Sequence, residues 1–259
     1  MDDGLTLYVK SKSNISVLIQ RFSAFSGLKN KAVWEYDIHG EDLSRHNRFR
    51  WDYSGRQIIM LQTMFIGKSG YGKSSLINSI IGADAFQIDE VKACTKELDT
   101  ALFRMGQDEK TYLAFSDLPG VGESRMADIQ YRKWYRDMVL SSSCVVYVLR
   151  ADQRDFSIDE DVFSELFYTE EQKENVVIAL NFADKIEPIS RSGKISEAQW
   201  RVLEDKIEII REKFGVYSVI PCCAKTGEGI TELISEIADI LDLCVYCLLY
   251  TSPSPRDRT

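Results

Sequence analysis

The sequence predicts a three-layer, doubly wound α/β fold on a mostly parallel sheet, preceded by a short, partly helical extension. Two observations carry this. From Ile58 onward, short apolar runs alternate with segments of helical periodicity, the order that builds β-α-β units. The apolar runs are nearly continuous, as strands covered on both faces must be.

Strands are expected at Ile58 to Ile66, Thr111 to Leu118, Cys144 to Leu149, Val176 to Asn181 and Val219 to Cys223. Helices are expected near Lys73 to Ile81, Met126 to Leu140, Asp159 to Phe167, Ser196 to Phe214 and Ile230 to Leu241. Leu98 to Phe103 adds an edge strand, returning through Gly106-Gln107-Asp108 to pair with Thr111 to Leu118. Before Ile58 the pattern changes. Ile15, Leu18, Ile19, Phe22 and Phe25 recur at helical spacing between an N-cap at Ser13 or Asn14 and a stop at Gly27. That amphipathic helix either packs on the main domain or docks on a membrane or partner. Arg45 to Tyr53 interleaves arginines with aromatics, which suits stacking on bases and contacting phosphates; a solvated connector whose aromatics cover the sheet edge is the favoured reading.

With 259 residues, 44% hydrophobic and 28% charged, the chain has apolar surface enough for a core. Collagen-like, low-complexity and disulfide-scaffold classes are excluded. A net charge of -8 argues against a general nucleic-acid coat protein, because phosphate neutralisation needs clustered positive charge. Residues 1–57 carry nine basic and seven acidic side chains, a thin basis for contact with RNA or an anionic membrane. Cys94, Cys144, Cys222, Cys223 and Cys244 are irregularly spaced, and Met1-Asp2-Asp3-Gly4 has no positive n-region. A cytoplasmic protein with reduced thiols is the expectation.

At the other end, Cys247 to Asp257 reads CLLYTSPSPRD. Back-translated, this run resembles a transposase adapter ligated to fragments during sequencing-library preparation. Residues 247–259 are therefore read as adapter-derived and set aside from fold reasoning; the alternative is a genuine Ser/Pro-rich tail. The Cys244/Cys247 spacing loses its metal or redox meaning with them. The expected layout is an extension over 1–57, a main domain over 58–243, and the suspect tail.

Directly after the first strand comes Gly67-Lys68-Ser69-Gly70-Tyr71-Gly72-Lys73-Ser74, followed by Ser75 and a helix. This is G-x-x-x-x-G-K-[ST] in its required strand, loop, helix context. The glycines let backbone N–H groups turn inward around a β-phosphate, and the helix adds its positive dipole end. Lys73 can then reach β- and γ-phosphates, and the Ser74 hydroxyl can bind Mg²⁺.

Further motifs decide the base. Asp117-Leu118-Pro119-Gly120 ends a strand, Asn181-Phe182-Ala183-Asp184 ends another, and Cys223-Ala224-Lys225 follows the last. With the phosphate loop, these resemble the motifs of the Era-like branch of the TRAFAC class of P-loop GTPases, with a Ras-like G domain spanning roughly Ile58 to Leu241. The texture of DLPGVGES, Ala151-Asp152-Gln153-Arg154 and ADKIEP is most similar to the bacterial YfjP/YeeP-like group, of the 50S ribosome-binding GTPase type. The resemblance implies GTP/GDP and Mg²⁺ as ligands, with Thr95 as the switch threonine that binds Mg²⁺ and senses the γ-phosphate. It also implies that Asp117 holds the metal through water and that the Gly120 N–H meets the γ-phosphate. Asp184 would accept from guanine N1-H and N2-H₂, donors that adenine lacks at that edge. The Ala224 N–H would face guanine O6 and Lys225 would cover the ring. Two positions depart from the pattern: Phe182 stands where lysine is usual, and Cys223 where serine is usual.

The resemblance also bears on hydrolysis. Val121 occupies the place of the water-orienting glutamine, and Gly70 that of the asparagine through which some relatives bind potassium. Glu123 and Arg125, in the second switch, are the candidates to orient water or neutralise charge. Slow intrinsic turnover, raised by an activating or effector partner, is the expectation. That partner is a ribosome or RNA, a membrane, or a second copy of the domain. The alternative is a nucleotide-binding scaffold without significant hydrolysis.

Overall fold

The computed structural model describes residues 34–35, 49–51, 57–82, 84, 86, 99–105, 111–120, 129–189 and 195–251. The expected amphipathic helix behind Ser13, and Thr95, Glu123 and Arg125, lie outside them. The described strands are β1 (Trp34–Glu35), β2 (Phe49–Trp51), β3 (Gln57–Ile66), β4 (Asp99–Met105), β5 (Thr111–Asp117), β6 (Cys144–Arg150), β7 (Val176–Asn181) and β8 (Val219–Pro221). The helices are α1 (Lys73–Ile81), α2 (Ile129–Leu140), α3 (Ser157–Leu166), α4 (Glu170–Lys173), α5 (Glu197–Phe214) and α6 (Ile230–Thr251).

The strands form one sheet in the order β1-β4-β5-β3-β6-β7-β8, with β2 paired to β3 off this path. Neighbours from β5 through β3, β6 and β7 to β8 run parallel. β4 is antiparallel to β5, as expected of the edge strand, and β1 is antiparallel to β4. Every residue of β7 and all but the last of β6 are buried, consistent with a parallel sheet covered on both faces. Tyr147, Phe163 and Phe214 cluster where α3 and α5 meet the sheet, Phe163 edge-on to both other rings and Tyr147 tilted against Phe214, with centroids 5.1 to 6.1 Å apart.

This is the doubly wound architecture that the sequence predicts. Some boundaries differ. β8 ends at Pro221, short of the expected Cys223, with Cys222 N still donating to Leu180 O at 3.0 Å. α6 runs past Leu241 to Thr251, because residues 242–251 contain neither glycine nor proline. The Arg/aromatic segment contributes a strand, with Phe49, Arg50 and Trp51 in register with Ile59, Ile58 and Gln57. Among the described residues no helix is long and apolar enough to cross a membrane.

Candidate nucleotide site

β3 delivers the chain into the glycine loop, and β5, β7 and β8 deliver the other motifs to the same sheet edge, as parallel strands must. Gly67, Gly70 and Gly72 all have positive φ, at 139°, 76° and 82°. Gly72 is the N-cap of α1, and no side chain caps that helix, so its first N–H groups stay directed at the loop interior. A Cβ on Gly72 would lie 2.5 Å from Asn181 Nδ2 and 3.3 Å from the Phe182 ring. At its far end α1 closes on Gly82, whose N–H donates to Asn78 O at 2.8 Å.

Lys73 is buried, and its Nζ donates to Gly67 O at 3.1 Å and Lys68 O at 3.2 Å across the loop. The Ser74 hydroxyl donates to Asp117 Oδ2. One hydroxyl beside one buried carboxylate is a hard oxygen pair of the kind Mg²⁺ takes together with substrate phosphates, so these two residues could hold that ion. Gly120 lies against Ser69, and a Cβ added to it would come within 2.4 Å of Ser69 N.

The base motifs converge on a cavity of about 670 Å³. Ser75, Asn181, Asp184, Cys223, Ala224 and Lys225, all expected from the sequence, line it, and Asn78, Ser79, Asp84 and Lys185 join them. Asn181, 1% exposed, donates Nδ2 to Tyr71 O at 3.0 Å and accepts from Ala224 N at 3.2 Å. The Cys223 thiol donates to Asp184 Oδ1 at 3.2 Å, the role a hydroxyl would otherwise fill. Buried Gln199 donates Nε2 to Asp184 O at 3.2 Å and Ile186 O at 2.8 Å, tying the Asp184 turn to the capping box that starts α5.

Phe182 adopts a left-handed backbone, φ 62° and ψ 33°. Its ring lies 4.5 Å from the Arg150 guanidinium and 4.4 Å from Lys185 Nζ, within cation–π range. Arg150 is held in turn by Asp152 at 2.7 and 2.9 Å. This hydrogen bond, opposed by partial burial, lowers the Asp152 pKa. Neither the Lys185 contact nor the grip on the phosphate loop by residues after β6 was visible as a pattern. Lys68 and Asp159 are far apart in sequence, and no motif links them.

Comparison with known proteins agrees with this geometry. Residues 62–182 match the family model described as 50S ribosome-binding GTPase. The chain is 35% identical over 159 residues to the uncharacterized protein YkfA of Escherichia coli (strain K12), covering 61% of this chain and 53% of that protein. For YfjP of the same strain the identity is 31%, with the same coverage. The probable GTP-binding protein EngB of Thermotoga petrophila is 27% identical over 184 residues, covering 70% of this chain and 86% of that one. The chain thus spans about half the length of YkfA and YfjP. Two solved structures share the fold at 18% identity. Era of Aquifex aeolicus bound to GDP.AlF4- has a TM-score of 0.55 over 70% of this chain and 56% of that one. Toc33 of Arabidopsis thaliana in complex with GDP and Mg2+ has 0.53 over 70% and 84%. The fold and the site define a P-loop GTPase domain of the TRAFAC type, a class of enzymes that bind GTP and hydrolyse it. Within that class, residues 62–182 are similar to the family described as 50S ribosome-binding GTPase.

Proposed function

We propose that the chain works as a Mg²⁺-dependent guanine-nucleotide switch with slow intrinsic turnover, its working unit being residues 58–243. The observation that carries the reading is Asn181, which bonds the phosphate loop through Tyr71 and the second base loop through Ala224. One side chain thereby sets the distance between a phosphate cradle and a carboxylate, Asp184, that suits the donor edge of guanine. Lys73 would neutralise the β- and γ-phosphates, and Ser74, Asp117 and Thr95 would hold Mg²⁺, whose charge supplies electrostatic stabilisation of phosphoryl transfer. Val121 cannot orient water, which leaves Glu123, Arg125 or an arginine from a partner for that part of the chemistry. A partner arginine is worth roughly 10³ to 10⁵ in rate.

The partner is RNA or a ribosome, a membrane, or a second copy. Era has been solved in complex with nucleotides of 16S ribosomal RNA, and for atToc33 and psToc159 dimerization is described as important for GTPase activity. Titrating fluorescent GTP, GDP and ATP with and without Mg²⁺, then following phosphate release against protein concentration, tests the reading. Expected are preference for guanine, dependence on Mg²⁺ and slow release. Equal competition by ATP, or rapid turnover at low concentration without potassium, would overturn it. Phe182 and Val121 favour one second reading, a nucleotide-binding scaffold, for which no phosphate is released under any condition.

A further inference from the structure

The tip of the phosphate loop is a tight turn, Lys68-Ser69-Gly70-Tyr71, closed by Tyr71 N donating to Lys68 O at 3.3 Å. Both corner side chains lead to one buried oxygen. Lys68 Nζ donates to Asp159 Oδ2 at 2.9 Å. The Tyr71 hydroxyl donates to Gln153 Oε1 at 2.7 Å and lies 3.3 Å from the same Asp159 oxygen, while Gln153 Nε2 donates to that oxygen at 2.9 Å. Asp159 is 0% exposed and Lys68 19%.

Asp159 is itself held from behind. Its backbone carbonyl accepts from the Tyr147 hydroxyl at 3.2 Å, on the central strand β6. Lys206 of α5 donates Nζ to Ala151 O and Gln153 O, each at 2.6 Å, fixing the turn that presents Gln153. Burial lowers the Lys68 pKa, but the hydrogen bond and charge of Asp159 outweigh it and the net shift is upward.

A carboxylate in the first turn of a helix ordinarily faces water and complements the dipole. Here it is buried and spent on a different element, at a desolvation cost that excellent geometry must offset. What it fixes is the curvature of the Lys68 to Tyr71 turn, which carries Ser69 and Gly70. We propose that Asp159 is a positioning residue of the GTPase site, which acts through Lys68 and the Gln153–Tyr71 link to hold the phosphate loop in its phosphate-binding curvature. This rests on the guanine-nucleotide reading above and adds to it a residue outside every motif.

The test compares GDP with GMP, which lacks the β-phosphate that the loop tip cradles, by competition against fluorescent GDP on the full chain, with thermal melting to establish folding. Asp159→Asn and Lys68→Met are expected to weaken GDP by about tenfold, within the range of coupling between distinct elements, and to leave GMP nearly unchanged. The preference for GDP over GMP should therefore fall, and Lys68→Arg, which keeps the ion pair, should retain most of it. A merely structural role would weaken GDP and GMP alike. Unchanged GDP affinity in folded variants, or equal losses for both nucleotides, overturns the proposal. If Asp159→Asn does not fold, Lys68→Met and Tyr71→Phe decide it on the same ratio. A wild-type chain that binds no guanine nucleotide would remove the underlying reading, whereas wild-type binding with an unaltered ratio in the variants removes this inference alone.

Discussion

Asn181 and Tyr71 are joined across the site: the side-chain amide of the first donates to the backbone carbonyl of the second at 3.0 Å. Replacing Asn181 by alanine strands that carbonyl and the Ala224 N–H together. Leaving a buried polar group unpaired costs about 1–3 kcal/mol. A lower unfolding midpoint in urea is expected, with weaker GDP binding in the same preparation. A variant of full stability and full affinity would refute the bridging role.

The Asp184 carboxylate lines the cavity, and the proposed function has it accept from the guanine edge. Asparagine at this position keeps one acceptor and replaces the other by a donor, which suits a purine with N1–H beside a carbonyl at carbon 2. Asp184→Asn is expected to lose roughly 10- to 100-fold in GTP affinity, matching about 1–3 kcal/mol for a bidentate base contact, and to gain affinity for xanthosine triphosphate. Parallel titrations of both nucleotides check this, and an unchanged GTP:XTP ratio would exclude Asp184 from base selection.

The Ser74 hydroxyl and Asp117 carboxylate are hydrogen-bonded partners. If they share Mg²⁺ when nucleotide binds, chelation by EDTA should speed GDP release from the wild type. Ser74→Ala should release GDP fast already and respond little to EDTA. Stopped-flow release measured with and without chelator separates this from a metal-independent site.

Phe182 brings an aromatic ring to the cavity in a strained backbone conformation. Stacking of a base on an aromatic ring is worth about 1–3 kcal/mol, so Phe182→Ala is expected to weaken GTP binding by roughly tenfold or more. Phe182→Trp should preserve affinity and give indole emission that guanine quenches. Retention of full affinity by the alanine variant would show that the ring does not meet the base.

Arg150, stacked on that ring, is paired with Asp152, whose pKa is held below its ordinary value first by the hydrogen bond to Arg150. A carboxyl depressed in the folded state stabilises it above the ordinary carboxylate pKa of about 4. That contribution is lost as pH falls through the depressed value. The melting temperature of wild type should therefore fall in acid more than that of Asp152→Asn, and identical acid profiles would count against the pair.

Much of this was legible in the sequence because periodicity and motif spacing are local. The parallel strands and the long helices appear near the expected positions, and six of the expected residues line the base cavity. The two- and three-residue strands Trp34–Glu35 and Phe49–Trp51 are too short to show a period and exist only by pairing with neighbours. Lys185 reaches Phe182 through a 3-10 turn that no pattern announces. Asp159 reads as an ordinary first-turn acid until the fold buries it against Lys68, a contact across 91 residues of sequence.

Gly120 rests directly on the backbone of Ser69, with no room for so much as a methyl group. The loop after β5 and the tip of the phosphate loop are therefore in contact before any third phosphate is considered. Any side chain larger than hydrogen at position 120 would have to part these two segments, so the glycine sets how closely the strand that ends in Asp117 approaches the phosphate loop.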